Sequence, residues 1–160
     1  MKNAGLSVVG LFLLGACSVA EGPDKSSEGT SAEQLAEGVN IANARMVLPP
    51  VSGNPAAIYF DLTYAGEGEV AFQSATVEGA GNTMIHIISK DETGTHMMDH
   101  GPFTVAPGET VEFKPGELHI MVTDISPEIT AGSTVPVSLT FSDGLSHSFE
   151  AEVRAAGDER

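Results

Sequence analysis

The pattern that most limits this chain is alternation. Ile58, Phe60, Leu62 and Tyr64 occupy every second position, with Tyr59, Asp61 and Thr63 between them. A period of two puts one set on each face of a β-strand. Val135, Val137, Leu139 and Phe141 repeat the pattern, and Asp143-Gly144 then marks a tight hairpin into His147, Phe149, Ala151 and Val153. Pro107-Gly108 and Pro115-Gly116 are turn dipeptides that bracket a short strand over residues 109–114. No stretch carries the period of a long amphipathic helix, and no internal repeat is visible. Several short strands between turn signals predict an all-β fold, an antiparallel β-sandwich of cupredoxin-like or Ig-like kind.

The ends of the chain read differently. An apolar run over residues 6–16 follows the single charge of Lys2. It is shorter than the roughly twenty apolar residues that cross a bilayer, and it has the layout of a secretory signal. It closes on Leu14-Gly15-Ala16-Cys17, which resembles the lipobox of bacterial lipoproteins, in which the cysteine becomes the lipid-modified N-terminus. Residues 1–16 are therefore expected to be a lipoprotein signal peptide. Residues 17–38, rich in Ser, Glu, Gly and Ala, form a lipidated Cys17 and a flexible acidic tether. Residues 39–156 are the length of one small domain. This layout places the protein in the bacterial cell envelope, on the periplasmic face of a membrane, held there through the lipid on Cys17 alone.

Charge narrows the partners. The chain has 22 acidic against 7 basic residues, a formal net charge of −15. Such a field repels phosphate backbones, which argues against nucleic acid, and favours cations or basic protein surfaces. With one cysteine in the whole sequence, the domain has no internal disulfide and no thiolate to offer a metal.

What the domain does offer is imidazole and thioether. The window from Met84 to Met121 holds four of the five histidines and four of the six methionines. Within it run His86, ten residues, Met97, twenty-one residues, His119, one residue, Met121. In a strand His119-Ile120-Met121, alternation sets His119 and Met121 on one face, about 6.5–7 Å apart. A hairpin between the segments of His86 and Met97 would bring those two near each other across the pair. Soft thioethers with imidazole select monovalent copper, Cu(I), over calcium and magnesium. Free imidazole titrates near about pH 6.5, so such a site would release its ion in mild acid.

His96, Met98 and His100 flank Met97 and are alternates to it, or a fifth contact. Met46 and Met84 read as core fillers, and His147, beside a hairpin, as a surface residue. The chain has no Gly-x-Ser-x-Gly, no His-Glu-x-x-His, no phosphate-cradling glycine loop and no catalytic cysteine within the domain, so no enzyme is expected. Blue-copper electron transfer would need a thiolate, and Cys17 lies in the lipobox.

These residues resemble a known family, the periplasmic copper chaperones called PCuAC, whose members carry a His-x10-Met-x21-His-x-Met motif. His86, Met97, His119 and Met121 match all four positions. The flanks from Thr110 to Met121 and from Ala131 to Phe141 are also similar, and the likeness extends over roughly Val39 to Arg154. The resemblance implies a cupredoxin-like sandwich that binds Cu(I) through a two-His, two-Met site. It also implies delivery to a copper-accepting periplasmic protein, such as the CuA centre in subunit II of cytochrome c oxidase or its assembly factors. The chain departs from the family in its extra His96 and His100, in its lipid anchor, and in the Thr-Asp-Ile-Ser that follows Val122. Two other readings remain at this level: an Ig-like envelope lipoprotein that binds another protein without metal, and a copper buffer that stores rather than delivers.

Overall fold

The computed structural model of the chain describes residues 34–158; the signal, Cys17 and the first part of the tether lie outside the described residues. Eleven strands account for the fold among them. These are β1 (Gln34–Leu35), β2 (Val39–Val47), β3 (Ala56–Tyr64), β4 (Val70–Val77), β5 (Ala80–Asp91) and β6 (Gly94–Asp99), followed by β7 (Phe103–Val105), β8 (Thr110–Phe113), β9 (His119–Ile125), β10 (Thr134–Phe141) and β11 (Leu145–Arg154). One 3-10 turn, Ser142–Gly144, joins the last two strands where the Asp-Gly signal predicts a tight connection. The all-β, sandwich-like expectation holds.

Hydrogen-bonded neighbours run β6-β5-β9-β3-β2-β11-β10-β4-β7, with β8 also on β3 and β1 on β11. The alternation read from the sequence is what builds the core. Ile58, Phe60, Leu62 and Tyr64 of β3 are buried, as are Val135, Val137, Leu139 and Phe141 of β10. The path curls so that the two halves share one interior. Phe60 of β3 stacks on Phe113 of β8 at 4.2 Å, and Phe72 of β4 meets Phe113 edge-on at 5.9 Å and Phe141 of β10 at 5.7 Å. Each such ring gains about 1.5–3 kcal/mol from burial, with a further increment from the edge and offset contacts.

The folded body begins earlier than the expected boundary at residue 39. β1 pairs in parallel with Leu145 and Ser146 of β11, and Ala36 is buried with its N–H donated to the Ser146 carbonyl at 2.7 Å. Nothing in this polar stretch looks like a strand by composition; the edge of β11 supplies the partner.

The core also fixes what lies on the opposite face of β5, β9 and β3. Ile58, Ile120 and Ile85 stand opposite one another across β3, β9 and β5 and point inward. Their sequence neighbours must then point outward. Hence His119 and Met121 of β9, and Met84, His86 and Ile88 of β5, share the outer face. This corrects the reading of Met84 as core: it is only partly buried and belongs neither to the buried cluster nor to the apolar fringe packed on it. Met46, by contrast, is fully buried. On β2 an irregularity between Ala42 and Arg45, with Asn43 at φ 56°, brings Arg45 opposite Tyr59. The Arg45 guanidinium lies 5.1 Å from the Tyr59 ring centroid, and that ring lies 6.3 Å from His119.

Candidate metal centre

The centre of the outer face is a pair of imidazoles. His86 and His119 are direct Cα partners across β5 and β9, with ring centroids 5.8 Å apart and planes at 89°. Both are nearly closed off from solvent, at 7% and 5% exposure. Burial of a histidine usually means that each nitrogen has found a partner. Here one nitrogen of each ring faces a protein oxygen that can only accept.

His86 Nε2 lies 2.8 Å from Asp99 Oδ1. An ionised carboxylate only accepts, so in the neutral ring Nε2 carries the proton and Nδ1 the lone pair. Nδ1 is buried and has no hydrogen-bond partner among the described residues. A buried acceptor left in that state costs about 1–3 kcal/mol. His119 mirrors this arrangement with its nitrogens exchanged. Its Nδ1 lies 3.0 Å from the Glu117 carbonyl, which can only accept, so the lone pair of that ring is on Nε2. One imidazole is oriented by a carboxylate and the other by a backbone carbonyl. This is the arrangement that fixes tautomers in metal-ligating histidines.

Thioethers complete the surroundings unevenly. Met121 lies two residues along β9 from His119, as the sequence predicts, and stands opposite Met84. Met97 does not stand opposite His86. In the β5–β6 hairpin His86 pairs with Asp99, and Met97 pairs with Ile88. Met97 keeps the face of His86 but sits one diagonal step away, about 7–8 Å by strand geometry. It is then on the far side of the histidine row from Met121, with about 16 Å between the two Cα atoms. Met97 is also 55% exposed.

The alternates around Met97 point elsewhere. His96 and Met98 pair with Ser89 and Ile87, which belong to the opposite face of β5. The His96 ring is engaged by Thr93 Oγ1 at 2.8 Å and approaches Asp91 Oδ1 at 3.4 Å. His100 donates its backbone N–H to the Ile85 carbonyl, and its ring packs edge-on against Phe103 at 5.3 Å. His147 is partly buried on β11, well along the sheet from this cluster, and that burial pushes its pKa down. Among the described residues, no three or more of His, Cys, Asp and Glu converge into a metal-sized group. Two imidazoles with thioether neighbours are therefore the donor set that this face presents, and thioethers suit a soft ion.

Asp91 sets the hairpin register. Its Oδ1 accepts the Thr93 N–H at 2.7 Å and the Thr93 hydroxyl at 2.6 Å. Those hydrogen bonds hold the Asp91 carboxyl below its ordinary range. The turn is thus centred on Glu92 and Thr93, with Asp91 opposite Gly94, and every later pair follows from it.

The fold is a β-sandwich like that of PCuAC domains. Three solved structures align with it. "Copper-bound PCuAC domain from PmoF2" matches with a TM-score of 0.61 at 17% identity, covering 74% of this chain and 93% of that one. "apo PmoF2 PCuAC domain" gives 0.63 at 16%, covering 77% and 94%. The Cu(I) form of DR1885 from Deinococcus radiodurans gives 0.58 at 20%, covering 81% and 87%. At those identities the likeness establishes the fold. The family is set by sequence: the model described as "Putative lipoprotein LpqE-like" matches residues 39–153, and the chain belongs to that family. A relative from Leifsonia xyli subsp. xyli, named "Putative lipoprotein Lxx21020", is 31% identical over 110 residues. That alignment covers 68% of this chain and 65% of the relative, so the chain spans just under two thirds of the relative's length.

Proposed function

We propose that this protein is a copper chaperone of the cell envelope, without enzymatic activity, that carries one Cu(I) ion on the outer face of β5 and β9. The observation that carries the reading is the pairing of His86 and His119. Each has one ring nitrogen tied by Asp99 or by the Glu117 carbonyl and a lone pair on the other. The bare His86 Nδ1 has no partner among the described residues. A cation with affinity for imidazole would satisfy it.

His86, His119 and Met121 form the inner part of the proposed site, and Met97 is the thioether that enters from the exposed hairpin. Thioethers hold Cu(I) without the proton chemistry or oxidative loss of a thiolate, which suits a carrier outside the cytoplasm. The chain would be anchored through Cys17 on the periplasmic side of a membrane, a placement in keeping with the lipoprotein names of its family and relative. Its acidic surface suits a basic recipient patch. The recipient we propose is a copper-accepting periplasmic protein, such as the CuA centre of cytochrome c oxidase or an assembly factor of that enzyme. Loaded solved structures of the same fold support copper as the cargo.

The test is a Cu(I) titration under reducing conditions against a competing chelator. The wild-type chain binds one equivalent. Replacing His119 and Met121 together by Ala lowers the affinity by at least about 100-fold, while circular dichroism retains the β signature. One-per-chain binding that survives in the double variant rejects the proposed site.

A further inference from the structure

The strand register points to a residue that the His-x10-Met-x21-His-x-Met spacing leaves out. We propose that Met84 is a thioether ligand of the same site, holding the ion at rest, and that Met97 serves in exchange; this inference rests on the copper reading above.

Three observations carry it. First, Met84 and Met121 are direct Cα partners, and so are His86 and His119, in one uninterrupted ladder of β5 on β9. The four side chains therefore occupy the corners of a compact block. Partners lie about 5 Å apart across the strands and about 6.5–7 Å apart along them. Second, Met84 is not used by the core: it is partly exposed on the outer face, while its neighbour Ile85 packs inward. Third, Met97 lies beyond His86 from Met121, separated from it by two strand spacings and four residues of length. Within this register the thioether best placed to share an ion with Met121 and the two imidazoles is that of Met84.

The division of labour follows from exposure. Met84 and Met121 are partly sheltered beside two buried rings, whereas Met97 stands 55% exposed on the hairpin. A ligand that is accessible to a partner can bind the ion during transfer without contributing much to its equilibrium retention. Release then proceeds by exchange of one thioether for another, with no proton to move.

Met84→Leu and Met97→Leu separate the two roles. Leucine keeps the volume of methionine and removes the sulfur, a swap that seldom disturbs folding. Each variant is titrated with Cu(I) against a competing chelator, and its thermal midpoint without metal is compared with that of the wild type. The expected result is that Met84→Leu binds at least tenfold more weakly and loses one sulfur from the copper shell seen by X-ray absorption, with the metal-free midpoint unchanged. Met97→Leu slows removal of the ion by a chelator, and its loss of equilibrium affinity is smaller than that of Met84→Leu. A wild-type affinity and sulfur count in Met84→Leu would overturn the assignment of Met84 while leaving the copper reading intact. Failure of the wild-type chain to bind Cu(I) at all would overturn both.

Discussion

Strand β5 has β9 on one side and β6 on the other, and the two pairings differ in almost every respect. Toward β9, inward isoleucines lock the ladder into the core, and the outward residues include two histidines at 7% and 5% exposure. Toward β6, all six residues of the partner strand are exposed, including Met97 and Met98 at 55% and 50%. One flank presents sheltered imidazoles and the other presents exposed thioethers. In the copper reading proposed above, a carrier has to hold its ion and also give it up, and the two flanks of β5 would divide these tasks.

The contrast can be broken most forcefully from within. Ile120 is fully buried between the outward His119 and Met121. Ile120→Ala is expected to cost about 2–5 kcal/mol of stability, read by denaturant unfolding, and to weaken Cu(I) binding because the backbone that sets both ligands is loosened. Full stability in that variant would mean that the β5–β9 ladder is not what organises the face. The smallest effect is expected on the other flank. Met98 shares the face of Ile87 rather than that of His86, so Met98→Ala should change stability by no more than about 0.5 kcal/mol and leave Cu(I) affinity unaltered in the chelator competition. A tenfold loss there would show that the hairpin adopts another register when loaded.

The sequence carried the scaffold well because its alternation is strong. Ile58 to Tyr64 and Val135 to Phe141 are buried at the expected positions, and the His-x-Met triplet of β9 places His119 and Met121 on one face around an inward Ile120. Register was less legible. Whether Met97 or Asp99 faces His86 depends on which residues form the turn, and moving the turn centre by one residue moves the pairing by two. The signal was present in Asp91-Glu92-Thr93-Gly94, where an Asp side chain can cap the Thr93 N–H two residues on. Met84 shares parity with His86, so the same strand that hides Ile85 must expose Met84; its apolar character concealed this. The Glu117 carbonyl that orients His119 is a backbone group, and no side-chain pattern announces it. Strand β1 is not legible in the sequence because residues 34–35 gain their pairing from the edge of β11 rather than from their own composition.

The direct measurement is X-ray absorption at the copper edge on the chain loaded with one equivalent of Cu(I) under reducing conditions. Two imidazoles and the thioethers around them predict a mixed shell of about two nitrogen and about two sulfur scatterers. A shell without sulfur, or one without imidazole, would contradict the site on β5 and β9.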